Sequence, residues 1–473
     1  MKTKVSSTSL LVSVAAVGLV AAQLKMASPT VNAQAPVAQA TMAASSFSAA
    51  DPGVRAGAPA VGGPLAGLTA NQLEYFNAGK AEFAAPETVA EGLGPRMNLD
   101  SCGGCHSQPA LGGSSPAVNP QIAFATLNGG TDSVPSFLSA SGPVREVRFV
   151  NNPDGTPDGG VHAIFTITGR LGADGCRIAQ PNFASAVANH NAIFRIPTPE
   201  FGLGLIEQIP DSSILANQAV NASAKSTFGI SGRANFSVSG RTISGQTNNN
   251  GNDGTIARFG WKAQNKSLMM FSGEAYNVEM GITNELFPTE RDETASCQMD
   301  VTPNDLTNAD GATALTSMSG MDLFGHFMRF LAPPVPSADT PGGATSIAAG
   351  KAAFTNVGCV FCHTASFTTG NTSIVAMRKQ PVNLYSDLLV HDMGVGLADG
   401  VSQGQAGPRE FRSAPLWGLG QRIFFLHDGR TSNLLTAIRA HASQGSEANG
   451  SVAAFALLSE AQKQNLLNFL RSL

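Results

Sequence analysis

Hydrophobic and polar positions divide the 473-residue chain into a few helical stretches separated by long irregular ones. The first ordered pattern opens at Leu68-Thr69. Thr69 is placed to cap a helix through Gln72, and Leu73-Glu74-Tyr75-Phe76 begins its body. The pattern ends in Ala78-Gly79-Lys80-Ala81-Glu82-Phe83, which returns as Ala349-Gly350-Lys351-Ala352-Ala353-Phe354. This short repeat predicts two related helical segments. Between them the text turns strand-like: residues 144–150 alternate, and residues 162–167 follow across the turn-forming Asn151-Asn152-Pro153-Asp154-Gly155. Residues 318–331 read as an apolar helix that stops at Ala332-Pro333-Pro334-Val335-Pro336, a hinge and domain boundary. The last helix has a capping box, Ser459 to Gln462, with Leu466, Leu467, Phe469 and Leu470 on its apolar face. The expected fold is mainly α, with much irregular loop and a few β-strands.

Composition sharpens the picture before the first helix. Residues 34–65 are rich in Ala, Pro, Gly and Ser and predict a flexible linker. Ahead of it, Lys2 and Lys4 precede a mostly apolar run over residues 10–22, with Val31-Asn32-Ala33 as a small-residue cleavage option. Residues 1–33 thus read as a secretory signal peptide, and no other stretch is long enough for a membrane span. Cleavage after Ala33 leaves 26 basic against 33 acidic residues, which argues against nucleic acid or an anionic membrane as partner.

The chemistry lies in Cys102-Gly103-Gly104-Cys105-His106 and its echo Cys359-Val360-Phe361-Cys362-His363. Each reads as C-x-x-C-H, the attachment motif of a c-type haem. Two thiols at this spacing reach the two vinyl groups of one porphyrin, and the next imidazole meets the iron. A dithiol redox pair or half a zinc site would use C-x-x-C, but zinc needs a second ligand pair that neither motif has nearby. Each motif follows a copy of the repeated helix. The chain therefore reads as two cytochrome c-like haem modules, residues 66–335, with a long inserted middle segment, and residues 336–473. Cys176 and Cys297 are the remaining cysteines, and in an oxidising compartment they predict a disulfide. Glu207 closes the apolar run 201–206, either as a solvated carboxylate or as a desolvated acid fit for proton transfer.

Further stretches carry a resemblance. Residues 387–394, Arg409-Glu410-Phe411-Arg412-Ser413-Ala414-Pro415-Leu416-Trp417-Gly418-Leu419 and Phe425-Leu426-His427-Asp428-Gly429-Arg430, together with residues 258–264 and 280–283, resemble the bacterial di-haem oxidoreductase family. That family is distantly related to di-haem cytochrome c peroxidases, the methylamine dehydrogenase maturation enzyme and rubber oxygenase. The resemblance implies His441, fourteen residues past His427, as second axial ligand to the His363 haem, with Met393 the runner-up. It likens Glu207 to the peroxidases' distal acid, Trp261 to an inter-haem tryptophan and Tyr276 to an aromatic of the distal pocket. Calcium between the domains is a further possibility it raises. For the first haem, His162, His190 and His326 stand as conceivable distal ligands. The expected protein is a periplasmic di-haem c-type oxidoreductase, peroxidase-like, with a reactive N-terminal haem and a bis-His electron-transfer C-terminal haem. Its partners would be peroxide or dioxygen and a small redox protein or other electron donor. The competing expectation is a non-catalytic di-haem electron-transfer cytochrome.

Overall fold

Helix α1 (Ala70–Ala84) starts at the expected cap: Thr69 accepts from the Gln72 backbone while the Gln72 side chain returns to the Thr69 N–H. The structure, a computed structural model, describes residues 48–55, 61–243, 246–247, 254–337 and 339–473. The expected signal peptide and most of the expected linker lie outside these residues. After α1 come α2 (Leu268–Met280), α3 (Gly320–Phe330), α4 (Gly343–Asn356), α5 (Leu434–Ala440) and α6 (Glu460–Ser472). The Ser459–Gln462 capping box is formed as the sequence predicts. Shorter helical turns and two-stranded antiparallel pairs fill the rest, and among the described residues no sheet has a third strand.

The repeated Ala-Gly-Lys-Ala segments have a packing reason. Helix α1 crosses α3, and α4 crosses α6. A Cβ at Gly79 would lie 2.2 Å from the carbonyl oxygen of Leu323, and one at Gly350 would lie 1.9 Å from that of Asn465. Each repeat therefore supplies the glycine at which two helix backbones touch. Phe76 and Phe83 flank the first crossing and pack on Phe327, while Phe354 packs on Phe469 beside the second. Burying each ring contributes about 1.5–3 kcal/mol.

The strand-like stretch pairs differently from its sequence order. Glu146–Phe149 pairs with Ala192–Arg195, and Phe165–Thr166 with Arg96–Met97. Only isolated bridges, including Arg148 to Val161, join the two neighbouring segments. Across this pair Phe194 stands opposite Val147, an aromatic against a β-branched side chain. Cys176 and Cys297 form the expected disulfide, which ties the middle segment together.

Residues 48–55, inside the expected linker, are packed. Asp51 pairs with the buried Arg471 at 2.7 Å and caps α5 through the Leu434 N–H at 2.7 Å. The low hydrophobicity that suggested a linker hides this polar anchoring. The described residues belong to one compact unit. Among the described residues no helix is long and apolar enough to cross a membrane.

Candidate functional site

Each Cys-x-x-Cys-His motif opens onto its own cavity. The N-terminal cavity spans about 1100 Å³ and the C-terminal one about 1380 Å³, both partly open to solvent. Close-packed interiors hold few voids larger than a water molecule, so each motif faces room kept for a ligand. Cys102, Cys105 and His106 line the first; Cys359, Cys362 and His363 line the second. All four cysteines are outside disulfides. Burial raises the Cys102 and Cys105 thiols and pushes Cys359 up to about 12.

The backbone around each motif fixes its histidine. Ser101 caps the short turn Cys102–Cys105, and Nδ1 of His106 bonds to the Gly113 carbonyl at 3.0 Å. Nδ1 of His363 bonds in the same way to Tyr385 O at 3.0 Å. A carbonyl on Nδ1 sets the tautomer and leaves Nε2 as the ligating nitrogen. Burial holds both rings near pKa 4, so both are neutral, as iron ligation needs. The thiol pairs, the oriented imidazoles and the cavity sizes fit a covalently held haem in each place.

The cavities differ in what else they present. His441 caps the C-terminal end of α5, lines the second cavity and bonds through Nδ1 to Ala437 O at 2.7 Å. It sits close enough to His363 to depress that ring's pKa, second only to burial. Met393 lines the same cavity. In the first cavity no histidine besides His106 is found among the described residues. His162 is stacked on Phe149 and bonded to Asp158, His190 lies exposed at a positive φ, and His326 packs between Tyr75 and Phe330. None of the three conceivable distal ligands reaches that cavity.

Glu207 and Tyr276 are not at the cavity wall either. Glu207 ends the short helix Leu203–Glu207, accepts from the Leu268 N–H at 2.9 Å to cap α2, and pairs with Arg329 at 3.0 Å. That cap and ion pair hold its carboxylate away from the motif. Tyr276, on α2, gives its hydroxyl to Glu87 at 2.9 Å and packs edge-on against Phe324. The helix turns Glu274, Ala275, Val278 and Glu279 to the cavity instead. Trp261, by contrast, lines both cavities and a smaller chamber of about 490 Å³ beside them. Its indole N–H donates to Ile196 O at 2.8 Å, and its ring meets that of His427 edge-on at 6.4 Å. The loop that carries it is locked by buried Arg258, bonded to Ile206 O, Ile209 O and Asp211.

The acids in the first cavity escaped sequence reasoning. Glu279 and Glu146 face each other there, from α2 and the strand Glu146–Phe149. Burial, then the neighbouring Glu146, raises Glu279 well above the carboxylate range, and Asn98 donates to it at 2.7 Å. Burial also opposes ionisation of Glu146, but Arg148 and Arg195 overcome this and hold it low. The pair thus keeps one proton at neutral pH. Glu200 lies 3.5 Å from Nδ1 of His106, and burial raises it to about 8. In the C-terminal cavity, His391 was also missed. It bonds Asp387 at 3.0 Å and Glu447 at 2.8 Å and lies 3.6 Å from Cys362 Sγ. The Asp387/His391 spacing of four was the available signal. Among the described residues no group of three or more His, Cys, Asp or Glu is gathered to hold a metal ion, and no calcium ligands are assigned.

Residues 148–473 match the family described as "Di-haem oxidoreductase, putative peroxidase", and the chain belongs to that family. The match begins after the first Cys-x-x-Cys-His motif. No curated protein matches the chain. Among solved structures, a xenon-pressurised hydrazine synthase from Kuenenia stuttgartiensis aligns at 17% identity with a TM-score of 0.21. The alignment covers 34% of this chain and 56% of that one, so this chain spans little more than half of that protein's length.

Proposed function

We propose that this chain is a periplasmic, peroxidase-like di-haem c-type oxidoreductase built from two cytochrome c-like modules. Cys102 and Cys105 attach one haem, ligated by His106, and Cys359 and Cys362 attach the other, ligated by His363 and His441. The observation that carries the proposal is the unequal supply of histidine: His106 alone lines the first cavity, whereas His363, His391, His427 and His441 line the second, where His391 is taken up by Asp387 and Glu447 and His427 is stacked on Phe411. A single axial histidine leaves a position for a small ligand, whereas two make a stable electron-transfer centre. When bound, the first haem supplies the iron at which peroxide is reduced. An electron donor, such as a small redox protein, would deliver electrons at the C-terminal module, and Trp261, which lines both cavities, is placed to serve as the relay. Export to the periplasm rests on the signal-like N-terminus and on the c-type motifs.

Reduction of peroxide to two waters consumes two electrons and two protons. Glu279 holds the first of these protons, and its carboxyl accepts a hydrogen bond from the Asn98 amide. Glu146, kept ionised by Arg148 and Arg195, holds that proton on Glu279 between turnovers, while solvent supplies the second proton and reprotonates Glu279. Glu279 and Glu146 replace Glu207 in this role. The test is stopped-flow reaction with peroxide. Glu279→Gln is expected to slow it by roughly 10²–10⁴-fold, while Glu207→Gln leaves the rate unchanged. A wild type inert to peroxide would contradict the proposal in favour of a pure electron carrier.

A further inference from the structure

Among the arginines that line the cavities, some have a carboxylate partner and others do not. Arg148 pairs with Glu146, and Arg195 with Asp399 at 2.6 Å. Arg412 and Arg422 make no ion pair among the described residues. The backbone takes only part of Arg412: Nε donates to Gly260 O at 3.0 Å and Nη1 to Ser413 O at 3.2 Å. The Arg422 guanidinium makes no hydrogen bond among the described residues. It retains accessible surface although it lies deep in the protein, because that surface faces the C-terminal cavity and the smaller chamber, which both arginines line. Burial draws each guanidinium down to about 10, with the charge of Arg422 adding to the effect on Arg412 and that of Arg471 to the effect on Arg422. Both are still cationic at neutral pH. Glu200 and Asp387 offset part of the charge of Arg412, but no carboxylate does so for Arg422, and a buried guanidinium without a counter-ion is costly, so this pair calls for an anion.

We infer that Arg412 and Arg422 form a carboxylate-binding site whose ligands are the propionates of the haem attached at Cys359 and Cys362. The inference rests on the proposed covalent haem in that cavity. A porphyrin fixed by its vinyl edge to two cysteines carries its two carboxylates on the opposite edge. Guanidinium forks match carboxylates in planarity and bonding pattern. Trp261 lines the same small space as Arg412 and Arg422, so propionates held there would lie on the side of the relay residue. The two positive charges also favour the reduced state of that haem and raise its potential.

The experiment uses the purified holoprotein as wild type, Arg412→Met, Arg422→Met and Arg422→Lys. Peptide mass spectrometry first establishes haem on Cys359 and Cys362. Its absence there would overturn the underlying assignment of the haem and this inference with it. With haem attached, both Met variants are expected to shift the propionate-bending band in resonance Raman spectra. They should also lower the midpoint potential of the six-coordinate haem and leave the bands of the other haem unmoved. Arg422→Lys should recover most of the potential but not the band, because a point charge replaces the fork. An unmoved band in both Met variants would overturn the inference. Titration of the wild type with phosphate and acetate separates the other source of the same chemistry. A saturable change in potential that Arg422→Met abolishes, with the propionate band constant, would mean a free anion and overturn the propionate assignment.

Discussion

At the scale of single residues, two kinds of buried charge are set by their neighbours. Glu447 is held at about 2 against its usual 4.5: burial opposes its charge, but protonated His391 and the N–H and hydroxyl of Ser231 prevail. Burial opposes the charge on His391, but Cys362 and Asp387 outweigh it, and its bonds to the Asp387 and Glu447 carboxylates remain when the sulfur is a thioether. A depressed carboxylate stabilises the fold fully above its unfolded pKa, and that stability is lost as pH falls through the folded one. Glu447→Gln should therefore cost about 2 kcal/mol at pH 7 after allowing for screening at its partly exposed edge. In thermal melts the gap from wild type should narrow below pH 4.5 and close near pH 2. An equal gap at both ends would contradict the assignment. Glu207 shows the converse. In sequence it is an acid ending an apolar run, and nothing local tells whether it faces a cavity or caps a helix sixty residues on. The acids that do face the cavity, Glu146 and Glu279, come from a strand and a helix far apart in the chain. Only the fold brings them together.

At the scale of elements, what the sequence disclosed was what local chemistry dictates. The caps at Thr69 and Ser459, the Cys-x-x-Cys-His turns and the apolar stretch that becomes α3 are all written within a few residues. The repeat was visible, but its cause was not, because each glycine matters only through a partner helix hundreds of residues away or near the other end of its module. Gly79→Ala and Gly350→Ala should each cost about 1–3 kcal/mol by forcing crossed helices apart. Gly63→Ala, whose Cβ meets nothing within 4 Å, should be silent. Thermal melts of the three variants test this; a silent Gly350→Ala would mean that the crossing is not tight. Strand pairing was the least legible feature. A period of two marks Glu146–Phe149 as a strand, yet its partner Ala192–Arg195 is chosen by packing, not by the nearer turn. The same limit explains Tyr276: its place on α2 was readable, whereas the face of α2 that meets the cavity depends on how α2 packs against α3.

At the scale of the whole molecule, two motifs alike in sequence stand in unlike surroundings. The C-terminal cavity supplies a second histidine on α5 and a buried cationic pair, while the N-terminal cavity supplies a carboxylic acid, its ionised partner and arginines. Trp261 and the small chamber lie where the two meet. Such an arrangement suits one centre that reacts and one that stores and delivers electrons, and the family to which the chain belongs carries two haems. Low-temperature electron paramagnetic resonance of the fully oxidised holoprotein tests this division most directly. The account predicts one high-spin signal, from the haem of His106, and one low-spin signal, from the haem of His363 and His441, the latter converted to high-spin by His441→Ala with both haems still attached. Two low-spin signals in the wild type, or a low-spin signal untouched by His441→Ala, would contradict it.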